Sequence, residues 1–310
     1  VDHADDILKA ESFLKHKEYC LTMSKLTLAG IAEEINSPNH IGNDAAIFAL
    51  TAQHLRKLGC DVNEYIESDL LLQDPKEKGI FNMVRDWKSI HKLQELEDKN
   101  YFVVNSGYGI EIDREKMTRL LLSNHISHPE SLILRTDEDP TEALEKAGFF
   151  NCWIKRGDFH AIHREDVTYV RTGRGEKHIE GNAIRGIPSA VINEHLVGDL
   201  VKFYGVAGTD FFYWFYPSNM HHSKFGLEVI NGTAKGILDE AQLRLLCHKA
   251  AEVLNIHIYG GDCIVSEDGV MRIIDFNDWP SFALAGRSGS KHRTSYLGSY
   301  ARTHLNRFNK

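Results

Sequence analysis

The sequence predicts a two-part fold, a parallel α/β layer followed by a mixed α+β remainder. Three observations predict it. A strand–helix–strand order opens between Lys25 and Tyr65. From Phe149 onward the chain turns to short β-type runs. Near its end an amphipathic helix, Leu238 to Leu254, leads into two branched-apolar runs joined by the turn signal Ser266-Glu267-Asp268-Gly269.

Taken in order, residues 4–20 read as an amphipathic helix with Ile7, Leu8, Phe13 and Leu14 on its apolar face. It belongs to an expected N-terminal extension, residues 1–22, with Met23 as an alternative start. Lys25 to Ile31 is a strand, Asn43 to Gly59 a helix stopped by its glycine, and Asp61 to Tyr65 a second strand. Ile80 to Val84 is a strand, Asp86 to Asp98 a helix, and Tyr101 to Asn105 a strand. Asp113 caps a helix that runs to Asn124. After His128-Pro129 come a strand, Ser131 to Leu134, and a helix around Thr141 to Ala147. The β-type runs are Phe150 to Lys155, Val167 to Arg171, Ala190 to Glu194 and Leu200 to Val206. Phe211 to Tyr216 reads as a core strand. The expected divisions fall at 1–22, 23–112, 113–192 and 193–310.

Composition narrows the function. The 310 residues suffice for two domains, and 42% apolar content allows a sizeable core. No run of about 18 apolar residues appears, so no membrane-spanning helix is expected. The acidic start Val1 to Asp6 lacks an apolar signal core, which points to the cytoplasm. Cys20, Cys60, Cys152, Cys247 and Cys263 are scattered without a Cys-x-x-Cys, as reduced thiols would be. A net charge of −8 argues against general nucleic-acid binding. The histidines show no helical metal-site spacing, and Walker and Gly-x-Ser-x-Gly motifs are missing.

The chemistry concentrates in the final hairpin. Asp262 opens its first strand as read from sequence, and Asp275 and Asn277 follow thirteen and fifteen residues later. Residues two apart share a face of a strand. Three oxygen-bearing side chains therefore converge far from the turn. Such a set suits Mg²⁺ with room for water and phosphate; Ca²⁺ or a solvated acidic patch would read the same. Lys155 lies in an apolar run before Arg156-Gly157. It is either an edge-strand lysine reaching water or a phosphate ligand beside a glycine turn. Lys202 alternates with apolar neighbours, facing either solvent or a cleft. Arg171 to His178 is a basic glycine-rich loop, and Asn193-Glu194-His195-Leu196 ends an apolar strand.

In order and spacing these pieces resemble the ATP-grasp superfamily, from about residue 26 to residue 283. The likeness is to carboxylate–amine ligases such as the D-alanine–D-alanine ligase, glutathione synthetase and RimK types. The resemblance implies an N-terminal α/β domain followed by a two-subdomain clamp on ATP. It implies that Lys116 and Lys155 hold phosphate, and that Asn193, Glu194, His195 and Leu196 form the hinge at adenine. Asp199 and Ile274 complete the nucleotide set. Asp262, Asp275 and Asn277 hold magnesium, two ions by the family pattern. Lys155, Lys202 and Arg156 are the catalytic candidates. Three departures stand out: Asp275 occupies the place of the usual Glu, Pro280-Ser281 that of Pro-Gly, and the loop after Lys155 is less glycine-rich than usual, with His160 and His163 instead.

The implied reaction joins a small-molecule carboxylate to an amine through an acyl-phosphate, in an enzyme that works without nucleic acid or membrane; homodimers are common among such relatives, and the sequence leaves the oligomeric state open. The alternative is a kinase of this fold acting on a polyanionic or inositol phosphate-like substrate. It rests on Leu200 to Val206 and on the basic set Arg156, His160, His163, Arg164, Arg171 and Arg174. An ATP-binding protein without turnover is the third reading. Acceptor contacts are expected from residues 33–43, Arg85, Asn105-Ser106 and Arg287-Ser288-Gly289.

Overall fold

The computed structural model describes residues 26–33, 41–159, 164–171, 175–217, 231–232 and 238–280. The expected helix at 4–20, His160, His163, Arg174, His221, His222 and the Arg287 segment lie outside them. The described chain forms two compact units that divide between Val103 and Val104.

The first unit is the α/β layer. Its elements are β1 (Thr27–Ala32), α1 (Ile41–Lys57), β2 (Asp61–Ile66), α2 (Glu67–Leu72), β3 (Gly79–Asn82), α3 (Trp87–Asp98) and β4 (Phe102–Val104). The sheet order is β2-β1-β3-β4, with β1 parallel to both its neighbours, as the strand–helix–strand pattern predicts. β1 is buried because α1 lies over it: a Cβ at Gly30 would stand 2.5 Å from the Phe81 ring, which stacks on Phe48 at 5.2 Å. Gly59, at φ +87°, ends α1 in a backbone conformation that favours glycine. Asp86 caps α3 through Lys88 N and Ser89 N. The short α2 was not evident in the sequence.

The second unit carries two antiparallel sheets. Its helices are α4 (Gly107–Ile110), α5 (Arg114–Ser123), α6 (Thr141–Ala147), α7 (Gly175–Ile184) and α8 (Glu240–Leu254). Its strands are β5 (Ser131–Arg135), β6 (Asn151–Arg156), β7 (Val167–Arg171), β8 (Ser189–Glu194), β9 (Asp199–Val206), β10 (Phe212–Phe215), β11 (Ile258–Val265) and β12 (Met271–Asp278). One sheet runs β5-β8-β6-β7 and the other β10-β9-β11-β12. Three readings are corrected here. Part of the stretch read as a glycine-rich loop is helix α7, and α4 is new. β11 begins four residues before Asp262, because Gly260 and Gly261 lie inside the strand rather than breaking it. A Cβ at Gly261 would stand 2.1 Å from Asp275 O, and one at Gly260 2.6 Å from Pro280 and Tyr204, so only glycine allows the backbones this close.

Each sheet packs one face against helices through apolar side chains and carries its functional side chains on the other, as period-two alternation allows. On the first, Cys152, Ile154, Val170, Ala190 and Ile192 pack with Ile179 of α7. On the second, Val201, Phe203, Tyr259, Cys263, Ile273 and Phe276 pack with Met117 and Leu121 of α5 and Leu243, Cys247 and Leu254 of α8. The opposite faces carry the site.

Candidate active site

β11 and β12 pair with Asp262 directly opposite Asp275. Phe276 points into the helix-packed core, so Asp275 and Asn277 point away from it. Asn277 Nδ2 donates to Asp275 Oδ2 at 3.1 Å, confirming the shared face. β9 pairs Lys202 with Asp262, and the Lys202 ammonium donates to Asp262 Oδ1 at 2.7 Å. Burial works against the charge on Lys202, but Asp262 outweighs it and the pKa rises.

Lys155 reaches this face from the other sheet. It is 7% exposed, and its Nζ donates to the carbonyl of Ile274 at 2.9 Å. Burial and then the neighbouring Arg114 push its pKa down to about 8, against the pull of Asp275 and Asp262. Lys155 from a strand and Arg114 from a helix thus approach the acids that Lys202 already faces.

Arg114 is the residue that sequence reasoning missed. It occupies the first turn of α5, after the cap in which Asp113 Oδ1 accepts from Lys116 N at 2.7 Å. Its side chain is 4% exposed, its Nη1 stands 3.2 Å from Asp275 Oδ1, and its buried Nε has no partner. Lys116 lies elsewhere: its side chain is 54% exposed, with its ammonium 3.8 Å from Glu111. The signal for Arg114 was present, since Arg114, Met117, Thr118 and Leu121 form the buried i, i+3, i+4, i+7 stripe of α5 and Lys116 falls off it.

Arg156 is also apart from Lys155. Alternation along β6 puts it on the other face, where its guanidinium grips Asp158 with two bonds of 2.9 Å and stands 3.7 Å from the fully buried Asp166. Arg185, just past the end of α7, closes that network on Asp166.

The segment 193–196 ends β8 beside the site. Asn193 is buried and donates to Ser131 Oγ at 2.8 Å. Glu194 N donates to Glu130 O at 2.9 Å, His195 N to Asn151 O at 3.0 Å, and Leu196 O accepts from Asn231 Nδ2 at 2.9 Å. Asp199 pairs with Val265 at the turn end of the hairpin, three positions from the Lys202–Asp262 pair.

An aromatic wall stands on the Lys155 face of β6. Trp153 Nε1 donates to His195 Nδ1 at 3.1 Å, so the ring proton of neutral His195 sits on Nε2. Tyr169 lies 5.1 Å from Trp153 and 4.9 Å from His195, centroid to centroid. Burial lowers the His195 pKa and favours that neutral ring.

Of the expected acceptor contacts, Asn105 is committed to the fold. Its Oδ1 accepts from His257 N and Ile258 N at 2.8 and 2.6 Å, and its Nδ2 donates to Ile258 O. Among the described residues no three His, Cys, Asp or Glu side chains gather as a metal site, so the oxygen set is two carboxylates and an amide. No described helix is long and apolar enough to cross a membrane.

No protein-family model and no curated protein sequence matches the chain. Solved structures do. The D-alanine–D-alanine ligase from Bacillus anthracis superposes with a TM-score of 0.63 over 92% of this chain and 100% of that one, at 12% identity. The ATP-grasp ligase PsnB, complexed with a precursor peptide and AMPPNP, gives 0.57 over 91% and 98%, at 14% identity. The chain has the ATP-grasp fold. D-cycloserine synthetase DcsG gives 0.59 over 88% and 99%, at 10% identity. The same Bacillus anthracis ligase complexed with ATP gives 0.60, over 88% of this chain.

Proposed function

We propose that the chain is an ATP-dependent carboxylate–amine ligase. The observation that carries this reading is the meeting of Lys155 and Arg114 with Asp262, Asp275 and Asn277 across two sheets. Three cations, counting Lys202, surround two acids, an excess of positive charge that suits a polyphosphate. Lys155 and Arg114 hold phosphate oxygens, and Lys202 orients Asp262 through their ion pair. The mutually tilted rings of Trp153, Tyr169 and His195 offer aromatic surface for a nucleobase beside the 193–196 segment.

The oxygen set fits magnesium. Two carboxylates in register and an amide are hard donors, few enough to leave places for phosphate and water. Asp262, Asp275 and Asn277 would hold the ion, which when bound supplies charge neutralisation to the phosphate tail. In the proposed reaction the substrate carboxylate oxygen bonds to the γ-phosphorus and ADP leaves. The amine then attacks the acyl carbon, phosphate departs, and the amine gives up a proton. The cations stabilise the charge that gathers on the leaving ADP and phosphate. Support for a ligase over a kinase comes from the structural neighbours, whose names are those of ligases.

ADP release with paired pools of carboxylates and amines tests the reading. A ligase requires the amine for sustained release, and hydroxylamine in its place traps a hydroxamate. A phosphorylated product formed without an amine would instead establish the kinase.

A further inference from the structure

Three consecutive residues of β12 are each held by a basic side chain from outside their sheet. Ile273 O accepts from His128 Nδ1 at 2.6 Å, Ile274 O from Lys155 Nζ at 2.9 Å, and Asp275 Oδ1 from Arg114 Nη1 at 3.2 Å. β12 is the edge strand of its sheet. Edge carbonyls ordinarily go to water. Here the segment Ser127-His128 lies along that edge. Ile273 N donates to Ser127 O at 2.9 Å, and Ser127 Oγ to Met271 O at 2.5 Å.

We propose that His128 is a positioning residue for the nucleotide site: it fixes the carbonyls of Ile273 and Ile274, and through them the Lys155 ammonium and the Asp275 carboxylate. The proposal rests on the ATP reading above. It stands on geometry and on residue type. His128 is 8% exposed, and its Nε2 is buried with no partner. Leaving a buried acceptor unmet costs stability. A leucine would fill the space without that cost, so packing alone does not explain an imidazole. The donor at Nδ1 does. The ring donates there while staying neutral, because burial and the adjacent Lys155 and Arg114 oppose its protonation. A charged side chain in this place would repel the two cations that it helps to set.

The test is MgATP binding by calorimetry to wild type, His128→Ala, His128→Asn and Ser127→Ala, with a melting curve for each. Asparagine keeps an N–H donor close to the place of Nδ1 and removes Nε2. Ser127→Ala loosens the same edge without touching the Ile273 carbonyl. The expected result is a Kd raised on the order of tenfold in His128→Ala, restored to within about threefold in His128→Asn, and unchanged in Ser127→Ala even where its melting temperature falls. Equal Kd in wild type and His128→Ala overturns the proposal. So does a His128→Asn chain as weak as His128→Ala, or a Ser127→Ala chain weakened as much, which would mark a merely structural edge. If His128→Ala does not fold, His128→Gln replaces it, with its donor displaced by one methylene and the same weakening expected. A wild type that binds no MgATP defeats the ATP reading itself, an outcome distinct from the others.

Discussion

Lys155 and Ile274 join the two sheets of the second unit: the Lys155 ammonium donates to the Ile274 carbonyl at 2.9 Å, one residue before Asp275. A buried lysine is costly unless it is paired. This one is paired to a backbone carbonyl and flanked by two carboxylates, so its charge is kept at the place where a phosphate would need it.

Arg114, rather than Lys116, is predicted to carry the second phosphate contact. Arg114→Ala should raise the Kd for MgATP by about 10- to 100-fold, the loss of a charge-assisted hydrogen bond. Lys116→Ala, which removes an exposed ammonium near Glu111, should leave it within about twofold. Titration of both variants against wild type checks the pair.

Nucleotide affinity should fall as pH rises through about 8, since Lys155 loses its proton there. The stability effect has the opposite sense. Between about 8 and the ordinary lysine value of 10.5 the unfolded chain binds the extra proton, so stability gains from Lys155 as pH rises across that window. Lys155→Arg should abolish the affinity change, because a guanidinium keeps its charge. Binding curves at pH 7 and pH 9 decide it.

His128 makes the second unit acid-sensitive. Its pKa is lowered to about 3, by burial first and Lys155 next, against 6.5 for a free ring. Between these values the unfolded chain binds one more proton, so stability falls as pH drops below about 6.5, by about 1.4 kcal/mol per unit. Urea unfolding at pH 7 and pH 5 should therefore differ by about 2 kcal/mol more in wild type than in His128→Asn.

Much of this was legible in the sequence, for physical reasons that differ by residue. The hairpin was readable because branched apolar runs flank a Ser-Glu-Asp-Gly turn, and the two-residue step from Asp275 to Asn277 fixes a face. The start of β11 was not, because Gly260 and Gly261 read as breakers until the backbone crowding against Asp275 and Tyr204 is seen. Alternation in β6 already set Arg156 with Cys152 and Ile154, opposite Lys155, and the helical stripe of α5 already set Arg114 inward. Family likeness drew attention to Lys116 and Arg156 instead. His128 left no such trace: its role depends on a contact 145 residues away, which no local pattern encodes.

The most direct measurement is calorimetric titration of ATP, with magnesium and with EDTA, into wild type and Lys155→Met. Saturable binding of one nucleotide in wild type is predicted, weakened by EDTA and weakened about tenfold or more in Lys155→Met. A wild-type chain that binds no MgATP, or a Lys155→Met chain that binds it undiminished, would contradict the account.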